Sequence, residues 1–443
     1  MSVATASILH PRLDIEERLE PAHEQIVRET LPLVGEHIEE IAPVFYGRMF
    51  AAHPEPLRDT FNRGNQAQGA QQKALAASVA TYATLLVAPD GPSPAAPLSR
   101  IGHKHVSLGI TEDQYEIVHE HLMAAIVEVL GADVVTGDVA AAWDAVYWHM
   151  ARTLIAFEHG LYAEAQVTPG DVFRTARVIR RIEESSSVAS FELAAPEGDE
   201  PLADFLPGQY ISVGVRLADG ARQLRQYSLS DAPGRGRWRI SVRREDGDPV
   251  GEVSSHLHRT LHEGDELQVT LPAGDLVLDA QATSPLVLVS AGIGITPMLG
   301  MLRHLAAVDS AREVVVSHAD GDAADAAHLP EPLDTVASLP EHSGSRARLW
   351  FSGELGEDPL AGRTDPRLSA HAGRMTITCE HLPEGAEIYL CGGGRVPARR
   401  PRAAARRRGR RGADARGAVL PERLVAPGRL SPVDRPSRTA EED

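Results

Sequence analysis

Several short stretches of the 443-residue chain have the residue types and spacing to hold a nucleotide. Gly292-Ile293-Gly294-Ile295-Thr296-Pro297 lies between the apolar run SPLVLVSAG, starting at Ser284, and the helix-forming MLGMLRHLAA. A glycine turn between a buried strand and a helix brings backbone close to a phosphate. The first N–H groups of the helix, with their partial positive charge, then face the anion. Cys391-Gly392 ends a second apolar run, EIYL. A plain core cysteine is the commoner fate of that residue type, so its candidacy rests on its pairing with the glycine turn. Arg225-Gln226-Tyr227-Ser228 combines a guanidinium for a pyrophosphate, a ring to lie against a flat heterocycle and a hydroxyl. That set suits a flavin nucleotide. Tyr210, in Pro207-Gly208-Gln209-Tyr210, supplies another aromatic. Gly251, Val253 and Ser254, in Gly251-Glu252-Val253-Ser254, can close on phosphates with backbone N–H groups. Any one of these is equally an ordinary strand or turn; their order along the chain distinguishes them.

A different chemistry is open to Arg100-Ile-Gly-His103-Lys104-His105-Val106. A haem needs one imidazole from a rigid helix and a mostly apolar pocket. His103 and His105 are two apart, so on a helix both cannot face one pocket. Spacing alone does not choose between them, nor separate them from a surface or satisfied core histidine.

The elements that must carry these groups follow from periodicity. Ile26, Leu31, Val34, Ile38, Ile41, Val44, Phe45 and Met49 recur at helical spacing. Gln71–Leu86, Pro97–Val106, Thr111–Leu130 and Val139–Ala165 continue the pattern, with Thr111 an N-cap and Gln114 its capping-box partner. No strand intervenes, so an all-α domain is expected. From Thr168 the chain turns to short alternating runs ended by Gly, Pro or Asp, such as VASFELAAPEG, QYISVGVRLADG and DELQVTLPAGD. These predict an antiparallel barrel or sandwich. From Ser284 the runs SPLVLVSAG, REVVVSHA, RARLWFSG and EIYLCGGG predict buried parallel strands in an α/β nucleotide-binding layout.

The net charge of −18 argues against a nucleic-acid-binding protein. From Arg395 onward there are 14 Arg against 6 acids, so the tail carries about +8 and the body about −26. Cys379 and Cys391 are too few for a disulfide framework and fit a reducing compartment. MSVATASILHPRLD lacks the features of a signal peptide. No apolar run approaches the roughly 18 residues of a membrane span.

In this order, and with Cys391-Gly392, the motifs from Tyr210 to Pro297 resemble the ferredoxin reductase-type FAD/NAD module. Val44-Phe-Tyr-Gly-Arg-Met-Phe50, Phe61-Asn-Arg-Gly-Asn-Gln66, Lys104-His105 and Gln114-Tyr115 are similar to the globin domain of flavohemoglobins. A helical haem domain fused to that module is the architecture of the family, and the resemblance covers about residues 20–394. It implies a multidomain fold: an all-α globin haem domain (20–165), an antiparallel β-barrel FAD domain (168–280) and an α/β NAD(P)-binding domain (284–394). The implied cofactors are haem b, FAD and NAD(P)H, and the partners O2 and NO. No nucleic acid and no stable membrane association are implied, and the protein is expected to be a cytoplasmic monomer.

The resemblance also implies roles. His105 matches the proximal iron ligand and His103 is peripheral. Tyr115 and Glu158 match the pair that hydrogen-bonds around that ligand. Tyr46 matches the distal tyrosine that steadies the bound gas, with Gln71 and Leu75 beside it and Phe61 wedged against the haem. Lys104 sits where the family has a lysine between haem and flavin. By residue type alone, Tyr46, Phe61 and Leu75 read as core. The implied activity is NO dioxygenation to nitrate for NO detoxification, with electrons passing from NAD(P)H through FAD to haem. A haem-based gas sensor or a ferric or flavin reductase are the alternatives if the C-terminus disables the NAD(P) domain.

The C-terminus departs from the family. There, Cys-Gly continues into Pro, an apolar helix containing Phe-Met, and a last strand ending near an aromatic that covers the flavin. Here an Arg/Ala/Pro-rich tail follows (395–443), without an aromatic residue. It reads as disordered, or as GC-rich DNA translated in a shifted frame. The expected consequences are an internal strand left as an open edge and an uncovered flavin face. NAD(P)H oxidation by the purified protein should therefore be slower than in relatives with the family C-terminus, while haem binding persists. Turnover at the relatives' rate would refute this, and sequencing the 3′ end of the gene tests the frame.

Overall fold

Apolar residues three and four apart give the N-terminal part of the chain helices with one buried face, among the described residues. The computed structural model describes residues 18–54, 70–88, 94–353, 358–378, 382–392 and 424–429. Among these residues six helices stand in the N-terminal part: α1 (Pro21–Glu36), α2 (Ile38–Ala52), α3 (Ala70–Leu86), α4 (Ala95–Val106), α5 (Asp113–Leu130) and α6 (Gly137–Glu164). Trp143, Val146, Tyr147, Met150 and Leu154 of α6 share one core with Val27 and Val34 of α1, Phe45 of α2 and Leu122 of α5. The polar tips of its buried aromatics are paired. Trp143 Nε1 donates to Thr30 Oγ1 (2.9 Å) and the Tyr147 hydroxyl to the Tyr115 carbonyl (2.6 Å).

Two local expectations change. The periodic stretch from Ile26 to Met49 is two helices, broken at His37. Gly35 beside the break, with Pro32 and Pro43 on either side, disfavours one continuous helix. Thr111 is not the N-cap of α5; Glu112 is. Half of the capping box forms, since Gln114 Oε1 accepts from the Thr111 N–H (3.3 Å), but the Thr111 hydroxyl donates to Asp113 Oδ1 (2.6 Å) instead.

Alternating apolar residues build the next layer, β1 (Phe173–Glu183), β2 (Val188–Ala194), β3 (Tyr210–Arg216), β4 (Arg222–Ser228), β5 (Trp238–Arg243) and β6 (Glu266–Thr270). Their order is β4-β3-β6-β1-β2-β5, with every pairing antiparallel. A bridge between Leu229, just after β4, and Ile240 of β5 brings the two edges together and closes the barrel. Phe191, Ile211, Val213, Ile240 and Val269 fill it. Helix α7 (Glu252–Thr260), which periodicity did not announce, packs Val253 and Leu257 into the same core.

Continuous apolar runs give buried parallel strands: β7 (Leu286–Ala291), β8 (Val314–Asp320), β9 (Arg346–Phe351) and β11 (Glu387–Cys391). A further parallel strand, β10 (Leu368–Ala372), was not expected, because LSAHA lacks an apolar run. With a last strand β12 (Leu424–Arg429), the order is β10-β9-β8-β7-β11-β12. Helices α8 (Ile295–Ala307) and α9 (Pro330–Ser338) follow β7 and β8.

The tail expectation needs correction at one place. Leu424–Arg429 forms strand β12, antiparallel to β11, so β11 is paired on both sides and is not an open edge. Unpaired N–H and C=O groups template a further strand, and even this biased tail supplies Leu424 and Val425. Pro427 falls at the register shift between Ile388 and Leu390, where a missing N–H is tolerated. The rest of the tail lies outside the described residues.

The barrel and the parallel sheet are joined by buried charge. Arg239 on β5 makes a bidentate pair with Glu331 of α9, at 2.9 Å for each oxygen. His328 Nδ1 lies 2.7 Å from Glu331 Oε1 and 3.4 Å from Glu184 Oε1, and its Nε2 lies 2.9 Å from Ser241 Oγ. Burial would raise the Glu331 carboxyl, but the hydrogen bonds from His328 and Arg239, and their charge, outweigh it and hold it down to about 2. Glu331→Gln should destabilise the chain by about 3 kcal/mol in urea unfolding, since Arg239 stays buried without its counter-charge. The folded carboxyl lies below its ordinary 4.5, so its contribution is complete above that pH and is lost as pH falls toward about 2. The wild type should weaken across that window, and the variant should lack this share of the loss.

Candidate active site

Gly102 lets α4 lie close against α6, since a Cβ there would come 2.5 Å from Phe157 Cδ1. That approach sets His105 beside Glu158, the residue after Phe157. His105 Nδ1 lies 2.8 Å from Glu158 Oε1 and 3.0 Å from the Tyr115 hydroxyl, and that hydroxyl donates to the same Oε1 at 2.6 Å. Glu158 is 2% exposed. Burial, then the charge of Glu158, push the Tyr115 hydroxyl far above its ordinary value, so it remains a donor. A carboxylate oxygen only accepts, which places the imidazole proton on Nδ1. Nε2 has no hydrogen-bond partner among the described residues. An imidazole anchored through one nitrogen, with the other nitrogen open, is the side chain a haem iron binds, so these residues fit that group.

The other residues expected around a haem are placed unevenly. Tyr46 is buried on α2, packed against Phe45 and Phe50 at ring separations of 4.6 and 5.4 Å. Gln71 and Leu75 stand in the first turns of α3. Phe61 lies outside the described residues. The exposed Lys104 donates from Nζ to Gln226 Oε1 on β4, so the helix of His105 touches the barrel directly.

On the barrel, Arg225, Gln226, Tyr227 and Ser228 are the half-buried end of β4, and Tyr210 lies opposite Ser228 on β3. Gln226 Nε2 donates to Ser212 Oγ (2.9 Å). Arg225 Nη1 reaches the Leu224 carbonyl (2.8 Å). Gly251 is the N-cap of α7, its own N–H donates to the Glu245 carbonyl (2.8 Å), and the helix start favours an anion. Val253 is core, and Ser254 Oγ already accepts from the Glu245 N–H (3.1 Å).

The sheet order reverses between β7 and β11, and a crevice opens outside strand ends at such a point. Gly292, Ile293 and Gly294 form the tight turn from β7 into α8. Gly292 has φ +52°, in the left-handed region. At Gly294 a Cβ would meet the Cys391 carbonyl oxygen at 2.6 Å, and at Gly392 it would meet the Ala291 N at 2.9 Å. The two chain reversals therefore pack backbone on backbone, and the half-buried Cys391 ends beside the turn. Ile295 and Pro297 are buried at the start of α8, and Thr296 Oγ1 donates to the Ile293 carbonyl (3.0 Å). These three position the turn and direct no polar atom outward.

Two residues escaped sequence reasoning. Gly102 had a readable signal, because a glycine inside a helix costs about 1 kcal/mol and implies a packing reason. His103, expected to be peripheral, is 4% exposed, and its Nδ1 accepts from the Gly274 N–H at 3.2 Å. Rotation of α4 turns it toward the barrel, and no local pattern reveals that. No helix among the described residues is long and apolar enough to cross a membrane.

A family profile described as Globin matches residues 44–154. The chain is 42% identical over 382 residues to a flavohemoprotein of Bordetella parapertussis, covering 84% of this chain and 92% of that one. It is also 42% identical to a flavohemoprotein of Deinococcus radiodurans over 380 residues, covering 84% and 90%. Among solved structures, the flavohemoglobin of Malassezia yamatoensis with bound FAD and haem is similar with a TM-score of 0.74 and 32% identity, covering 85% of this chain and 93% of that one.

Backbone contact at the reversal makes a simple prediction. Gly294→Ala should lower stability by about 1–3 kcal/mol, because backbone rather than a side chain must move. Gly35→Ala, which meets nothing within 4 Å, should not. Thermal unfolding midpoints of the two variants compare them.

Proposed function

Since the chain belongs to the flavohemoproteins, NAD(P)H-dependent oxidoreductases with a globin domain, we propose that it is a nitric oxide dioxygenase converting NO and O2 to nitrate. In this reading residues 20–165 take haem b, 168–280 FAD and 284–394 NAD(P)H. When bound, FAD would supply the conversion of a two-electron hydride donor into single electrons, and haem a binding site for the gases.

The chain's own residues divide that work. His105 offers Nε2 to the iron, while Glu158 and Tyr115 hold Nδ1–H. That hold fixes the ring and makes its free nitrogen more electron-donating, which suits oxygen activation over reversible storage. Tyr46 is the hydroxyl donor this reading assigns to the gas-binding side, and Gln71, Leu75 and Phe61 are given the haem-pocket roles that the resemblance implies. Tyr210 and Tyr227 would hold the flavin ring, Arg225 and Ser228 its polar groups, and the α7 start at Gly251, Val253 and Ser254 its phosphates. Gln226 joins this set to Lys104. The Gly292–Pro297 turn and Cys391-Gly392 receive the nicotinamide nucleotide.

The observation that carries the reading is the shared grip of Glu158 and Tyr115 on His105 Nδ1, with Nε2 left open. Purified protein should show haem and flavin absorption and should consume NO aerobically with NADH, forming nitrate. Glu158→Gln should retain haem but lower NO consumption by about 10- to 100-fold. Haem and flavin without NO consumption would refute the assignment, and haem without flavin would favour a gas sensor.

A further inference from the structure

The helix that carries His105 carries a second histidine turned the other way. His103 is buried, with its ring edge-on to Phe157 at 5.6 Å. Its Nδ1 accepts the Gly274 N–H, a contact between residues 171 apart in sequence. Gly274 has φ +121°, a conformation only glycine adopts readily. It lies against the Tyr210 ring, since a Cβ there would sit 3.0 Å from both Cδ1 and Cε1. Its neighbour Ala273 exchanges both backbone hydrogen bonds with Tyr210, each 2.9 Å. One unbroken series of contacts therefore runs from α4 through His103 and Gly274 to Tyr210.

A buried backbone N–H needs an acceptor, and here the acceptor comes from the other domain. The partners define direction as well as distance, because an imidazole nitrogen accepts in the ring plane. Arg100, one turn earlier on α4, lies 4.0 Å from Asp275 and adds only an exposed, screened contact. Successive residues on a helix are about 100° apart. His103 can thus hold the barrel while His105, two positions on, faces Glu158.

We propose that His103 is a positioning residue for electron delivery, setting the separation between the helix of His105 and the loop that supports Tyr210. This rests on the reading above, in which His105 binds haem and Tyr210 lies on the flavin. Electron transfer between two centres falls steeply with their separation, whereas hydride transfer to the flavin is local to the reductase module. Loss of the His103–Gly274 bond therefore affects flavin-to-haem transfer and spares flavin reduction.

The test uses the full-length holoprotein. His103→Leu keeps bulk and removes the acceptor, and His103→Asn restores an acceptor. His103→Gln misplaces the acceptor by one methylene and stands in if the Leu variant does not fold. Stopped-flow mixing with NADH under carbon monoxide follows flavin bleaching and haem reduction separately. Deuterium exchange of a peptide containing Gly274 reads the clamp without any turnover. In His103→Leu or His103→Gln, haem reduction should slow roughly 10- to 100-fold with flavin bleaching unchanged, and exchange at Gly274 should rise. His103→Asn should reverse both effects. Haem reduction at the wild-type rate in the Leu or Gln variant would overturn the proposal. So would slowing of both steps together, or unchanged exchange at Gly274. Wild-type protein lacking haem or flavin absorption would instead contradict the underlying reading, and the exchange measurement would still decide whether the clamp exists.

Discussion

A carboxylate that is almost wholly removed from water needs donors on it, and in this chain the need is met from two helices at once. Glu158 sits on α6, Tyr115 on α5 and His105 on α4, and both donors converge on one oxygen of Glu158. Burying a charge without such partners is costly, so the three helices hold one relative arrangement. Gly102 against Phe157 is the steric condition for it. The open nitrogen of His105 follows from the same arrangement, because Glu158 and Tyr115 both engage Nδ1 and leave Nε2 without a partner among the described residues.

The arrangement extends outward through α4. Its consecutive residues His103, Lys104 and His105 turn to Gly274, Gln226 and Glu158. A single turn of helix therefore serves both the site and the joint with the barrel. The barrel is in turn fixed to the parallel sheet by Arg239, Glu331 and His328. Each joint uses buried polar groups with directional demands, which constrain relative position more tightly than apolar contact of the same area.

Within the parallel sheet, the site depends on how closely backbone approaches backbone. Gly294 and Gly392 allow the ends of β7 and β11 to meet, and the start of α8 is aimed at the crevice they form. Strand β12 covers the far side of β11 with residues from a segment whose composition promised no regular structure. An unpaired strand edge acts on any chain that can reach it, and composition reports nothing about reach.

By itself the sequence determined the classes of element and their order. Helical spacing, alternation and continuous apolar runs are local consequences of one buried face, one buried face per strand, and two, respectively. Those rules located most helices and nearly all strands, and they put the glycine turn between β7 and α8. Motif order along the chain pointed to the residues of the site. Periodicity failed where burial is slight or partners are remote: at β10, at α7, at the break near His37 and at β12. Only tertiary structure decided which way each imidazole of α4 faces, that Tyr115 and His105 share one oxygen of Glu158, and that His103 belongs to the joint between domains. Those outcomes depend on hydrogen bonds between residues 43, 53 and 171 positions apart. A sequence pattern records that a side chain is buried, but the partner that makes its burial tolerable is chosen by the packing of whole elements.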